Sequence, residues 1–299
     1  MTMRSVRFYC VLLFTSLGLK ASININVDAV QKSVVFLYAA GPGGAVDAEK
    51  PIGTGFWVEV PLKSDPKRVY RFLVTARHMV DPAWANCEQP TPNVIYARMN
   101  KKDYKSEANQ SGVDFVRLDL TQNNTPVWEH AQDKHVDAAV LPTSKVDLSA
   151  FDVQSIPISL FPTTQELASQ SIGDPIMSAG LMPGLTGTRR NLPIFKFGQI
   201  SNIPQEDTET RCGPMRPPFE VKVWLVAANL VPGNSGSPIF HVPLGGSGVI
   251  LGGTRPLLLG IQSISFLGTD VAGMTPISYV YDIFVGLKLN DADLSRGPK

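Results

Sequence analysis

The chain has 299 residues, 43% of them hydrophobic and 18% charged, with 25 glycines and 24 prolines. The apolar share is enough for a sizeable core and excludes a largely disordered chain. Lys and Arg number 27 against 26 Asp and Glu, and no run of like charge is long enough for a nucleic-acid arm or a polybasic membrane patch.

Arg4 and Arg7 precede an apolar run from Phe8 to Leu19, and Lys20-Ala21-Ser22 follows. This is the layout of a secretory signal peptide, expected at residues 1–21 with cleavage after Ala21. The run is shorter than the roughly 20 apolar residues that a spanning helix needs. The expected location is therefore secreted or periplasmic, with no membrane contact after cleavage. Loss of Arg4, Arg7 and Lys20 turns the slight basic balance into a slight acidic one, so no nucleic acid or other anionic partner is implied. Cys10 leaves with the leader. Cys87 and Cys212 remain, and they either pair or stay as free thiols; spacing alone does not decide.

Beyond the leader the chain reads as β. Runs rich in Val, Ile, Phe and Tyr alternate with Gly, Pro, Asn and Asp clusters. Six strands are expected near Val34–Ala39, Thr54–Val60, Arg71–Thr75, Val94–Met99, Phe115–Leu120 and Ala138–Leu141. Six more are expected near Pro175–Leu181, Phe195–Ile203, Val223–Ala228, Ser237–Val242, Leu257–Ser265 and Ile277–Tyr281. The segment Pro157–Ser171 suits a crossing linker. Lys101–Gly112 and Gln122–Lys134 read as polar surface loops. Two six-stranded antiparallel barrels, at about residues 30–155 and 165–290, would remove the exposed sheet edges. A short helix is expected over Asp282–Leu289, and residues 291–299 read as a flexible tail.

Three elements carry possible chemistry. His78 ends the apolar run Phe72-Leu73-Val74-Thr75, where a ligand can reach it. Asp137 opens the apolar run Ala138–Leu141; either it solvates a strand edge or it orients a histidine ring. Ser235 lies in Pro232-Gly233-Asn234-Ser235-Gly236-Ser237-Pro238, between two apolar runs. Glycines permit a turn whose N–H groups converge on a negative oxygen, beside the serine hydroxyl. An acyl-transfer nucleophile needs that pairing, although the same text also fits an ordinary hairpin.

Taken together, in the order His, Asp, Ser, these segments resemble the chymotrypsin-like (trypsin-like) serine protease family. The matching text is Gly53-Thr54-Gly55-Phe56, Val74–His78, Asp137–Leu141, Gly233–Pro238 and Leu259–Ser263, spanning roughly Val34 to Leu287. The resemblance implies one protease domain over residues 22–290, two β-barrels and an active site in the cleft between them. It implies Ser235 as nucleophile, His78 as base and Asp137 as the group orienting His78. It also implies an oxyanion hole in the Gly233-Asn234-Ser235 turn, with N–H donors from Gly233 and Ser235, and no metal or cofactor. The implied partner is a protein or peptide substrate; oligomeric state stays open.

Asn234 stands where digestive members carry the acid that pairs with a freed N-terminal amine, so that activation switch is not expected. Ala227–Ser235 is nearest to the Deg/HtrA-type branch, but the residues after the second barrel are too few for the PDZ domain usual there. By the same resemblance Asn229 lies near the specificity-pocket base, and Ser263, Ile264 and Ser265 form a wall that pairs with substrate backbone. With no carboxylate at that base, a small or medium uncharged side chain is expected there rather than Arg or Lys. His130, Asp133 and His135 lack helical metal spacing and read as loop. His241 reads as structural and Arg189-Arg190 as a hairpin tip. Asn109 and Asn123 match glycosylation acceptors, relevant only for a eukaryotic source. The rival reading is a catalytically silent protease-like module that binds proteins.

Overall fold

The computed structural model describes residues 22–23, 25–87, 90–105, 111–144, 146–242, 244–245, 255–266 and 268–295. The expected leader at 1–21, residues 296–299 of the expected tail, and Asn109 lie outside them.

Helix α1 (Val27–Ser33) follows a two-residue strand at Ser22–Ile23 and is capped by the Asn26 side chain accepting from the Ala29 N–H. It runs directly into the first half, whose strands are β1 (Val34–Ala40), β2 (Val46–Pro61), β3 (Val69–Thr75), β4 (Val94–Asn100), β5 (Val113–Asp119), β6 (Glu129–His130), β7 (Ala139–Pro142) and β8 (Ile156–Pro157). They form one eight-stranded sheet in the order β5-β4-β1-β2-β3-β7-β6, with β8 parallel to β2. Six strands and closure were expected here; among the described residues the hydrogen-bonded path holds seven, with β8 beside it, and stays open. Strands β6 and β8 are two residues long, too short to show any alternation in sequence.

The expected linker holds helix α2 (Thr164–Ala168), which sequence reading missed. A capping box starts it: the Thr163 hydroxyl accepts from the Glu166 N–H, and the Glu166 carboxylate accepts from the Thr163 N–H. The second half contains β9 (Pro175–Gly180), β10 (Ile194–Asn202), the hairpin β11 (Thr208–Thr210) and β12 (Phe219–Val221), then β13 (Trp224–Ala227), β14 (Pro238–His241), β15 (Leu257–Ser265) and β16 (Val271–Pro276). A closed barrel runs β9-β10-β13-β16-β15-β14.

The last strand is a correction. It was expected at Ile277–Tyr281 and lies instead at Val271–Pro276. Ala272, Gly273 and Pro276 conceal a strand from any propensity argument. Residues 278–286 form helix α3 (Ser278–Gly286). Its buried Val280, Tyr281, Ile283 and Phe284 recur at helical spacing, which overrides the β-branched and aromatic content.

Helix α3 belongs to the second half in sequence and packs on the first. The Phe284 ring lies 4.8 Å from Phe72 of β3 and 6.2 Å from Phe161 of the linker. Arg98 of β4 adds a second tie across the halves. It is 5% exposed, and its guanidinium donates to the carbonyls of Thr186 and Gly187 and to Asn191 Oδ1. The expected hairpin tip at 189–190 is thus docked on the first sheet, with Arg190 paired to Asp152 at 3.1 Å.

Phe284→Ala should lower the unfolding free energy by about 3–5 kcal/mol, read by urea denaturation, because it empties the seam between the halves. Val285→Ala on the exposed face of the same helix should change it by less than about 0.5 kcal/mol.

Candidate active site

Strand β3 ends at Thr75, whose hydroxyl donates to the Thr54 carbonyl at 2.7 Å. The chain then makes a short 3-10 turn, Arg77–Met79, that carries His78. Arg77, beside it, pairs with Asp81 at 3.1 Å and lies 5.3 Å over the Trp84 ring, so it stabilises this turn from behind.

Strand register brings Asp137 here. Strand β7 runs antiparallel to β3 with Ala139 opposite Thr75, so the residues just before Ala139 lie alongside the turn after Thr75. The Asp137 carboxylate takes three donors. Its Oδ1 accepts the His78 backbone N–H at 3.0 Å; its Oδ2 accepts His78 Nδ1 at 2.7 Å and the Ser263 hydroxyl at 2.5 Å. Asp137 is 2% exposed. Burial pushes its pKa up, but the His78 charge and these hydrogen bonds outweigh that and hold it below the ordinary carboxylate value. For His78 burial acts downward, and the Asp137 charge and hydrogen bond prevail, leaving its pKa raised.

Ser263 was expected to line the specificity pocket. The pairing of β15 with β16 slips between Gln262 and Ile264, which makes Ser263 the extra residue of a β-bulge. A bulge re-aims a side chain, and here it turns the hydroxyl onto Asp137. The Ser263 carbonyl in turn accepts the Ser235 hydroxyl at 3.4 Å. One residue thus touches both Asp137 and Ser235. No motif in the sequence signals it, because a bulge depends on the partner strand.

The Ser235 turn is locked against the first half. The Thr54 N–H donates to the Ser235 carbonyl at 2.8 Å, and the Thr54 hydroxyl donates to the Gly233 carbonyl at 3.1 Å. Gly236, at φ +87°, fits because a Cβ there would lie 1.9 Å from the Thr54 carbonyl oxygen. Gly233, at φ +98°, sets up the turn. Among the described residues neither Gly233 nor Ser235 has an internal acceptor for its N–H, so both are free to receive an anionic oxygen. The Asn234 N–H donates to the Val231 carbonyl at 3.0 Å, which takes it out of the expected oxyanion hole. Its buried side chain braces the turn instead: Oδ1 accepts the Val231 N–H at 2.9 Å and Nδ2 donates to the Leu181 carbonyl at 2.6 Å. Among the described residues no hydrogen bond joins the His78 ring to Ser235.

A cleft of about 300 Å³ beside the turn is lined by Asn229, Leu230, Pro232, Ser265, Phe266 and Asp270 among others. Two of the four expected specificity residues, Asn229 and Ser265, line it. Ile264 does not, and its carbonyl accepts the Gln262 amide at 3.1 Å. Asp270 is an exposed acid on this wall that sequence reading did not place here. A larger cavity of about 820 Å³ lies between residues 129–133 and α3 and holds none of the expected site residues.

The Cys87–Cys212 disulfide forms, with Cα atoms 5.3 Å apart. It ties the β11–β12 hairpin region to the segment after His78. The same hairpin grips the segment before Asp137: His135 Nδ1 pairs with Asp207 at 2.5 Å, and Lys222 bridges Asp133 at 2.9 Å and Asp207 at 3.8 Å. His135, Asp207 and Glu220 lie within 4.8 Å of one another. Lys222 already supplies a cation there, so the group reads as an ion-pair clamp.

No protein-family model matches the sequence, and no curated protein matches it. Among solved structures, the MamO protease domain from Magnetospirillum magneticum is similar at 13% identity, covering 89% of this chain and 100% of that one, with a TM-score of 0.49. The active form of the Rv3671c protease from M. tuberculosis is similar at 14% identity over 95% and 93%, with a TM-score of 0.43. Human heparin binding protein is similar at 13% identity over 91% and 97%, with a TM-score of 0.47. Likenesses this distant assign no activity. The all-β class, the closed barrel and the short terminal helix agree with the fold that the chymotrypsin-like resemblance implies.

An NMR titration should place the His78 ring above the ordinary value of about 6.5. In Asp137→Asn it should fall to or below that value, because burial then acts alone. The raised pKa also has a stability sign: the His78 contribution is complete below about pH 6.5 and fades as pH rises through the folded pKa. Reducing the disulfide should cost about 2–5 kcal/mol in denaturant titrations.

Proposed function

We propose that this chain is an exported serine endopeptidase acting through Ser235, His78 and Asp137. The observation that carries this reading is the three-donor grip on Asp137, which fixes the His78 ring with Nδ1 on the carboxylate. That leaves Nε2 as the face available to the nucleophile. The leader-like start and the disulfide support export, since disulfides persist in oxidising compartments.

In the proposed reaction His78 Nε2 takes the Ser235 proton as the hydroxyl oxygen attacks the scissile carbonyl. The resulting oxyanion sits on the free N–H groups of Gly233 and Ser235. Collapse expels the amine, which receives the proton from the imidazolium, and leaves an acyl-enzyme. Water, deprotonated by the same ring, then releases the acid product and restores Ser235. Before substrate arrives the Ser235 hydroxyl rests on the Ser263 carbonyl, and a rotation about its Cα–Cβ bond must bring it to Nε2. Hydrogen bonds that are long in a free enzyme commonly tighten only in the substrate complex.

That resting bond is also the observation favouring a catalytically silent, protein-binding module. A fluorophosphonate probe separates the two readings. Labelling at Ser235, abolished by heating and in His78→Ala, supports the peptidase; no labelling of folded protein supports the silent module. The labelling rate should climb with pH through a pKa above about 6.5, because only neutral His78 accepts the proton. Asp137→Asn should cost roughly 10⁴-fold in turnover and move that limb to lower pH.

For substrate choice we infer a small or medium uncharged residue at the cut. The Lys196 ammonium lies against the Asn229 carbonyl and opposes a cation at the cleft base, while Asp270 sits exposed on the outer wall. A peptide-library profile led by uncharged residues supports this. One dominated by Arg or Lys overturns it.

A further inference from the structure

The turn that carries Ser235 contains no charged residue from Asn229 to Pro238, yet a charge is applied to it from below. Lys196 belongs to β10, where it lies opposite Ser178 of β9. It shares a strand face with Gly198 and with the fully buried Ile200, so its side chain rises along the barrel interior toward the turn. Its Nζ donates to the Asn229 carbonyl at 2.5 Å and to Asn234 Oδ1 at 3.0 Å. Those two acceptors bracket the loop: one is backbone at the cleft wall, and the other belongs to the side chain that braces the nucleophile turn.

The other charged groups near the turn are the His78–Asp137 pair, which reaches Ser235 through Ser263, and Asp270 on the cleft wall. Strands β9 and β13 on either side carry no charged side chain, and β10 carries no other. Asp270 stands exposed on the far wall of the cleft and forms no ion pair with it among the described contacts. Partial burial alone lowers the Lys196 pKa. A partly desolvated cation held by two neutral oxygens makes hydrogen bonds of roughly twice the ordinary strength.

We propose that Lys196 is a positioning residue for Ser235, its ammonium holding the 229–235 loop in the acylating shape so that the site is preformed in a single uncleaved domain. This rests on the peptidase reading above. Lys196 touches neither substrate nor the reacting atoms; it acts through Asn229 and Asn234.

The test is the second-order rate of fluorophosphonate labelling at Ser235. Lys196→Met should label about 10- to 100-fold more slowly, the loss expected for a charged donor to two acceptors. Lys196→Cys should be equally slow, should recover most of the rate after alkylation with 2-bromoethylamine, which restores an ammonium, and should stay slow after alkylation with iodoacetamide, which does not. A merely space-filling lysine would be replaced equally well by either group. In the unmodified protein the rate should fall again at high pH, with a midpoint below the ordinary lysine value of about 10.4. Near-UV circular dichroism checks folding. If neither variant folds, the high-pH limb decides, and its absence up to pH 10.5 overturns the proposal. Wild-type rates in Lys196→Met, or equal rates in the two alkylated forms, overturn it as well. If the wild-type protein itself is not labelled, the peptidase reading fails, an outcome distinct from these.

Discussion

A buried carboxylate is the constraint on which the site depends. Asp137 is almost fully enclosed, and an ionised carboxylate without partners in such a place is not tolerated. Its three donors come from two places in the fold: the backbone and ring of His78 in the first half, and the Ser263 hydroxyl in the second. The charge can therefore be satisfied only when both halves are assembled in one relative position. Orientation of the imidazole and docking of the halves become one event, and the Ser235 turn, which reaches Thr54 by two hydrogen bonds, is fixed with it.

The residues proposed to carry the chemistry were the easiest part to read. His78 closes an apolar run, Asp137 opens one, and Ser235 sits among glycines; each leaves a local mark in the sequence. Most strands were readable for the same reason, and Leu257–Ser265 was placed to the residue. What failed to show were features decided by a distant partner. The bulge at Ser263 exists only relative to β16, and the Asn234 N–H is taken by a carbonyl that no spacing rule identifies. Strand β16 is small-residue text whose strand character comes from barrel closure, whereas Ile277–Tyr281 has strand-like content and helical burial. Lys196 stood in a strand of ordinary appearance, nearly forty residues from the turn it braces.

The second half does more for the first than complete a cleft. Its β11–β12 hairpin reaches across to segments flanking His78 and Asp137, by a disulfide after His78 and by ion pairs before Asp137. Half-buried, still solvent-reached ion pairs of this kind contribute modestly each, and the covalent link supplies most of the restraint. His78 and Asp137 are thus held from three directions: by the sheet register beneath them, by Ser263 beside them and by the hairpin outside them.

Helix α3 has a consequence for the order in which the molecule can mature. Phe284 fills the seam against Phe72, so the sheet that bears His78 lacks one of its own core rings until a helix that follows all the described strands has been made. A nascent chain stalled between Pro276 and Phe284 would hold His78, Asp137 and Ser235 on an unfinished scaffold. Late synthesis of that ring would hold back completion of the first sheet's core until the second barrel's strands exist.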